Sequence, residues 1–173
     1  MTVLRFEQAV LPHLDAAYNL ARWLLRDAHD AEDIVQQSCL RALDAFDRFR
    51  GGDTRAWLLT IVRNTCFSHL RQRRRQDEDV EAVESIDTQL AAPSAESDPH
   101  LALLRRLERD ALAAAIEQLP AVFREAFVLR EMEGLSYQEI ADVAGVPVGT
   151  VMSRLARARQ RLQETLSNPV HED

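Results

Sequence analysis

Residues 134–159 read GLSYQEIADVAGVPVGTVMSRLARAR, and this stretch decides the fold. Gly134 can end a preceding helix in the left-handed conformation that glycine adopts without steric cost. Ser136 and Glu139 form S-x-x-E, a capping box that satisfies orphaned backbone N–H groups and starts a short helix. Gly145 supplies a tight turn, and Pro147 stands where a second helix can begin. In that second helix Val151, Leu155, Ala158 and Leu162 recur at spacings of four, three and four, giving one apolar stripe. At roughly 100° per residue, Ser153, Ala156, Arg157 and Gln160 fall on the opposite face, with Arg154, Arg159 and Arg161 on its flanks. The pattern predicts a helix-turn-helix whose second helix is basic on its outer side.

Charge separates that helix from an ordinary solvated one. From Pro147 to Leu162 there are four arginines and no acid, in a chain of net charge -7. A merely solvated face would mix both signs. Helix position, turn chemistry and charge agree on contact with duplex DNA. Thr150, Ser153, Arg154, Arg157, Arg159, Gln160 and Arg161 are the candidate contacts.

The chain has 173 residues, 46% of them hydrophobic and 28% charged, which describes one globular domain or two small ones. No apolar run is long enough to cross a membrane, and the N-terminus lacks the features of a secretory signal, so a cytoplasmic location is expected. Cys39 and Cys66 lie far apart within helical patterns and read as reduced packing residues. No histidine falls in metal-ligand spacing with them, so neither a metal nor a cofactor is expected.

The overall acidity hides a partition. Residues 1–75 carry 12 arginines and 9 acids, for +3; residues 76–100 carry no arginine and 8 acids; residues 101–173 carry 9 arginines and 11 acids, for -2. The middle segment also holds Pro93, Ser94, Ser97 and Pro99 and lacks helical periodicity, the composition of an extended tether. No β-strand alternation or internal repeat occurs. The fold class is therefore all-α. Two small helical domains, over 1–76 and 101–168, are joined by a flexible acidic linker over 77–100 and followed by a short tail, 169–173.

In the first domain Pro12 can open a helix with Leu14, Tyr18, Ala21 and Leu25 on its buried side. Asp30 can cap the next, with Glu32 and Asp33 favourably placed in its first turn and Val35, Cys39, Leu43 and Phe46 as its buried stripe. Gly51 and Gly52 break the pattern, and a third, apolar helical region begins near Thr54. Its end is a second basic signal. From Arg63 to Arg75 there are five arginines and no acid, interleaved with Asn64, Phe67, Ser68 and His69. Positive charge neutralises phosphates while aromatics and amides engage exposed bases, as single-strand binding demands. Trp57 and Phe67 nonetheless read more readily as core residues than as stacking platforms.

Three stretches in order, DAEDIVQQSCLRAL, FRGGDTRAWLLTIVRN and LPAVFREAFVLREMEGLSYQEIADVAGVPVGTVMSRLARAR, resemble the extracytoplasmic-function sigma factors of bacterial transcription over nearly the whole chain. The resemblance implies a promoter-directing role, with a first domain that opens the -10 element and a second that reads the -35 element as duplex. It implies core RNA polymerase (β′ clamp helices and β flap) and promoter DNA as partners, and an anti-sigma factor as regulator. The helix from Asp30 to Leu43 resembles the surface that docks on the β′ clamp helices, giving Asp30, Glu32, Asp33, Gln36 and Gln37 as candidates. Gln37 stands where the family usually has Glu. Asn64 to Ser68 match the loop and helix start that accept a flipped-out -10 base. Arg63, Asn64, Thr65, Phe67, Ser68 and Arg71 are the candidates there. Met152 stands where relatives often carry Arg or Lys, so a basic -35 contact is missing. The family's linker threads the polymerase active-site cleft and RNA exit channel, which suits an acidic segment; a soluble spacer kept extended by self-repulsion explains the composition equally well.

A stand-alone helix-turn-helix regulator is the rival reading, but it leaves the second basic stretch and the DAEDIVQQ helix unexplained. An enzyme would need a constellation with a nucleophile, metal spacing or phosphate loop, and none is present. A helical adaptor would not need acid-free arginine surfaces twice.

Overall fold

The computed structural model describes residues 2–77 and 98–168. Among these residues every regular element is helical. Helix α1 spans Thr2–Val10, and a 3₁₀ turn over Leu11–His13 leads into α2, Leu14–Leu25. Pro12 therefore sits in the turn instead of opening the helix. The helix before it was not expected, and buries only Val10.

Helix α3 spans Ala28–Ala45, and its cap is Asp27, whose side chain accepts the Asp30 N–H at 2.9 Å. The expected cap, Asp30, lies three residues inside. The buried stripe is also displaced by one residue: Ala31, Ile34, Ser38 and Ala42 face the core, while Val35, Cys39, Leu43 and Phe46 are only half-buried. Small residues let α3 lie close to its neighbours, and the Ser38 hydroxyl is satisfied by the Ile34 carbonyl at 2.7 Å. Val35, Cys39 and Leu43 line an open groove of about 470 Å³ with Phe6, Leu14, Gln36 and Leu40. In α2 Ala21 and Leu25 are buried as expected, together with Ala17, Leu20 and Leu24, while Leu14 is half-buried and Tyr18 lies at the surface.

Helix α4 runs unbroken from Thr54 to Asp77. Asp53 precedes it and accepts the Ala56 N–H at 3.1 Å. Trp57 stacks on Phe49 with ring centroids 4.6 Å apart, and Phe46 and Phe6 continue that aromatic cluster onto α1. Trp57 is thus a packing residue. Most of the acidic segment, and its expected extended character, lies outside the described residues.

The second half comprises α5 (Pro99–Glu117), α6 (Ala121–Phe127) continuing into a π-turn over Val128–Met132, α7 (Tyr137–Ala144) and α8 (Val148–Ser167). Its helix-turn-helix forms as the sequence predicts. Gly134 and Gly145 adopt φ of 68° and 69°, and Ser136 and Glu139 complete both arms of the capping box. Val151, Leu155, Ala158 and Leu162 are all buried.

The two halves pack on each other. One continuous apolar core takes Leu20, Leu24, Leu58, Leu59 and Val62 from the first and Val128, Leu129, Leu135, Ile140 and Leu155 from the second. Polar contacts ring it. Arg26, left-handed at φ 58° beyond α2, donates to the Glu117 carbonyl at 3.0 Å. Asn19 donates to Glu133 at 2.8 Å, and Arg55 donates to the Glu133 carbonyl and lies 3.6 Å from Glu139. At the centre Arg124 and Glu125, adjacent on α6, are both buried.

Candidate nucleic-acid interface

Helix α8 presents an open polar face because its apolar stripe is fully used inside. Ser153, Ala156, Arg157, Arg159, Gln160 and Arg161 are exposed, and Thr150 and Arg154 are half-buried. The arginines differ in how they are held. Arg159 donates to Glu131 at 2.9 Å, which raises its pKa. Arg161 lies over the Phe123 ring at 5.3 Å, and Gln160 donates to Glu164 at 3.2 Å. Arg157 makes no hydrogen bond or ion pair with a described residue and borders a groove of about 580 Å³ between α5 and α8. Met152 is 53% exposed on the same helix, an apolar spot among arginines.

The single-strand candidates fall on α4, in mid-helix. Asn64 to Ser68 were expected as a loop and helix start, and the structure corrects this: the apolar residues Leu58, Leu59, Val62 and Cys66 keep the helix packed and continuous through them. Helical spacing then sorts the set. Asn64, Ser68 and Arg71 form one exposed stripe, with Arg71 donating to the Ser68 hydroxyl at 3.2 Å. Thr65 is 3% exposed; its hydroxyl donates to the Ile61 carbonyl and accepts from Arg41. It is a core residue and leaves the contact set. Phe67 is half-buried beneath the Arg63 guanidinium, 4.1 Å from its centroid. Arg63 Nε lies 2.6 Å from Glu125, in the other half of the chain.

The docking candidates lie on α3. Glu32, Asp33, Gln36 and Gln37 are exposed. Asp30 instead turns to α4, accepting from Arg73 at 3.0 Å with His69 at 3.5 Å, and so pins the basic helix end. Cys39 and Cys66 are free thiols, and burial pushes Cys66 up to about 12. Among the described residues no group of three or more His, Cys, Asp or Glu could hold a metal ion, and no helix is long and apolar enough to cross a membrane.

Sequence reasoning missed the residues that join the halves. Arg124 donates to the carbonyls of Glu117, Leu119 and Leu24 at 2.9, 2.8 and 3.0 Å. Burial lowers its pKa to about 10, so it stays charged at neutral pH. Burial also raises the pKa of Glu125, and Arg63 opposes that rise. Two adjacent charges inside the apolar run LPAVFREAFVL were the available signal.

Comparison with known proteins agrees along both halves. Residues 9–76 match the family Sigma-70 region 2, and residues 109–162 match Sigma-70, region 4. RNA polymerase sigma-H factor of Pseudomonas aeruginosa is 39% identical over 93% of this chain and 86% of its own length. The ECF RNA polymerase sigma-E factor of Escherichia coli K12 is 39% identical over 77% of this chain and 72% of its own. Among solved structures, the sigma factor RpoE of Bartonella quintana, in complex with the anti-sigma factor NepR, superposes with a TM-score of 0.79 at 33% identity. That match covers 95% of this chain and 98% of RpoE. The chain belongs to the extracytoplasmic-function family of RNA polymerase sigma factors.

Proposed function

We propose that this sigma factor binds core RNA polymerase and directs it to promoters, reading the -35 element as duplex with α8 and the -10 element as single strand with α4. The observation that carries the reading is the outer face of α8, acid-free from Val148 to Leu162 and held open by a fully buried apolar stripe, in a chain matched by the family at both ends. Ser153, Arg154 and Arg157 lie on the part of α8 suited to base edges, while Arg159 and Arg161 suit phosphates. Asn64, Ser68 and Arg71 form the exposed -10 stripe, with Arg63 and Phe67 beside it. Glu32, Asp33, Gln36 and Gln37 form the surface for the β′ clamp helices, and the second domain meets the β flap. The protein acts in the cytoplasm, where the polymerase is. Catalysis belongs to the polymerase.

The relation to RpoE, solved with an anti-sigma factor, supports control of this chain by a separate anti-sigma protein. The test is transcription from a cognate promoter by core polymerase, with and without this chain. Specific initiation only in its presence is expected. Tight, sequence-specific DNA binding without polymerase would overturn the reading in favour of a stand-alone regulator.

A further inference from the structure

The outer face of α8 is divided along its length. At roughly 100° per residue, Ser153, Arg154, Arg157 and Arg161 fall on one edge of that face, while Gly149, Met152 and Ala156 cluster within about 60° on the other. The first edge is rich in hydrogen-bond donors. The second offers a bare backbone, a thioether and a methyl group, and all three residues are exposed, Met152 by 53%. Arg159, which borders this apolar edge, is tied to Glu131 at 2.9 Å.

A lone exposed methionine is ordinary at a protein surface. Its surroundings set this one apart. Met152 stands one turn from Ala156 on a face without an acid between Val148 and Leu162, so the apolar edge lies inside a surface suited to phosphates and bases. The edge begins at Gly149, where the fold does not require a glycine. The φ of Gly149 is not positive, and a Cβ placed there would meet nothing within 4 Å. Glycine weakens a helix relative to alanine and serves where a ligand comes close to the backbone. The room at Gly149 therefore belongs to whatever docks on α8 from outside.

Met152 carries no donor and only a weakly accepting sulfur. In the major groove guanine, cytosine and adenine present hydrogen-bonding groups, and thymine alone adds an apolar one, its C5-methyl. Met152 and Ala156 stand about 6 Å apart along the helix axis, less than two base-pair steps. They serve one base pair or two adjacent ones.

We propose that Met152, with Ala156 beside it, is a specificity-determining residue that packs on the C5-methyl group of a thymine in the -35 element, while the arginine edge takes the hydrogen-bonding groups next to it. This rests on the sigma-factor reading above and adds to it a base that the promoter must contain. An arginine at this position would favour guanine; methionine gives up that bond and gains the burial of a methyl group.

The test uses holoenzyme assembled from core polymerase and the full chain, on a promoter selected from a library randomised across the -35 region. Each -35 thymine is then replaced singly by deoxyuridine, which removes the methyl group and keeps every hydrogen-bonding group. At one position at least, binding by the wild type should fall by about fourfold, the worth of one buried methyl. At that position Met152→Ala should show no penalty, and Met152→Leu, which keeps an apolar side chain, should retain it. Thermal unfolding of the variants should match the wild type, so a general loss of structure cannot mimic the result. Deoxyuridine tolerated at every thymine, a penalty equal in wild type and Met152→Ala, or a selected element without thymine would overturn the proposal. If holoenzyme selects no -35 sequence at all, the sigma-factor reading itself falls and takes the proposal with it.

Discussion

Arg124 closes the end of α2 from the other half of the chain: its Nη2 donates to the carbonyl of Leu24 at 3.0 Å, one hundred residues away in sequence. Helix C-termini leave carbonyls without intrahelical partners, and this one is buried, so water cannot serve it. The same guanidinium satisfies the carbonyls of Glu117, the last residue of α5, and of Leu119 just beyond it. Arg124→Met should therefore destabilise the protein by about 3 kcal/mol or more, since it strands the two buried carbonyls of Leu24 and Leu119. Urea unfolding followed by circular dichroism measures this. A loss under about 1 kcal/mol would mean that water reaches those carbonyls.

On the candidate DNA-reading face of α8, Arg157→Ala should lower affinity for a -35 duplex by about 1–3 kcal/mol and relax base selection. Arg157 has no hydrogen-bond or ion-pair partner to give up among the described residues. Arg159→Ala should cost less and act equally on all sequences, because Arg159 must first leave Glu131 and serves phosphate only. Titrations of holoenzyme against promoter series at several salt concentrations separate the two. Unchanged -35 selectivity in Arg157→Ala would remove this face from recognition.

Docking on polymerase should depend on Asp33 and much less on Asp30. Asp33 is exposed on α3, whereas Asp30 is engaged by Arg73 and His69. Asp33→Arg should abolish co-purification with core polymerase while leaving the helical circular dichroism intact. Asp33 lies beyond the first turn of α3, so it gains less from the helix dipole than the about 0.3–1 kcal/mol of a first-turn acid. Wild-type binding by this variant would take α3 out of the interface.

Acid should weaken α3 through its cap. Asp27 has a pKa below the usual 3.8, chiefly because its carboxylate accepts the Asp30 N–H. The native state then binds fewer protons than the unfolded chain between the two values. The cap's contribution is complete above the ordinary value and is lost as pH falls through the lowered one. Asp27→Ala should cost about 1 kcal/mol at neutral pH. The gap between wild type and Asp27→Ala in thermal unfolding should shrink below about pH 3.5; a constant gap would show that the carboxylate's charge plays no part.

The helix-turn-helix was legible in sequence because its determinants are local. A capping box, two left-handed glycines and a four-three-four apolar stripe each act within a few residues, and all appear in place. Helix α3 was misread by one residue because the most hydrophobic candidates, Val35, Cys39 and Leu43, were assumed to face inward. Close helix packing instead selected Ala31, Ser38 and Ala42. Among the single-strand candidates, the exposure of Asn64, Ser68 and Arg71 follows from helical spacing, whereas the burial of Thr65 and the continuity of α4 depend on neighbours that no local pattern reveals. The boundary between the halves was not legible at all. Its pairs, such as Arg63 with Glu125 and Asn19 with Glu133, join residues 62 and 114 positions apart.

That boundary has a consequence for how the protein responds to its surroundings. Contact within one chain does not strengthen or weaken with the amount of that chain, so the fraction with parted halves is a fixed property of the sequence. Any ligand that requires the parted form binds with an affinity reduced by that same fraction. A substitution at Glu125 or Asn19 would then rescale every promoter by one common factor and leave their ranking untouched, whereas Arg157 would reorder the ranking. On the proposed reading the boundary would set the volume, and the outer face of α8 would do the tuning.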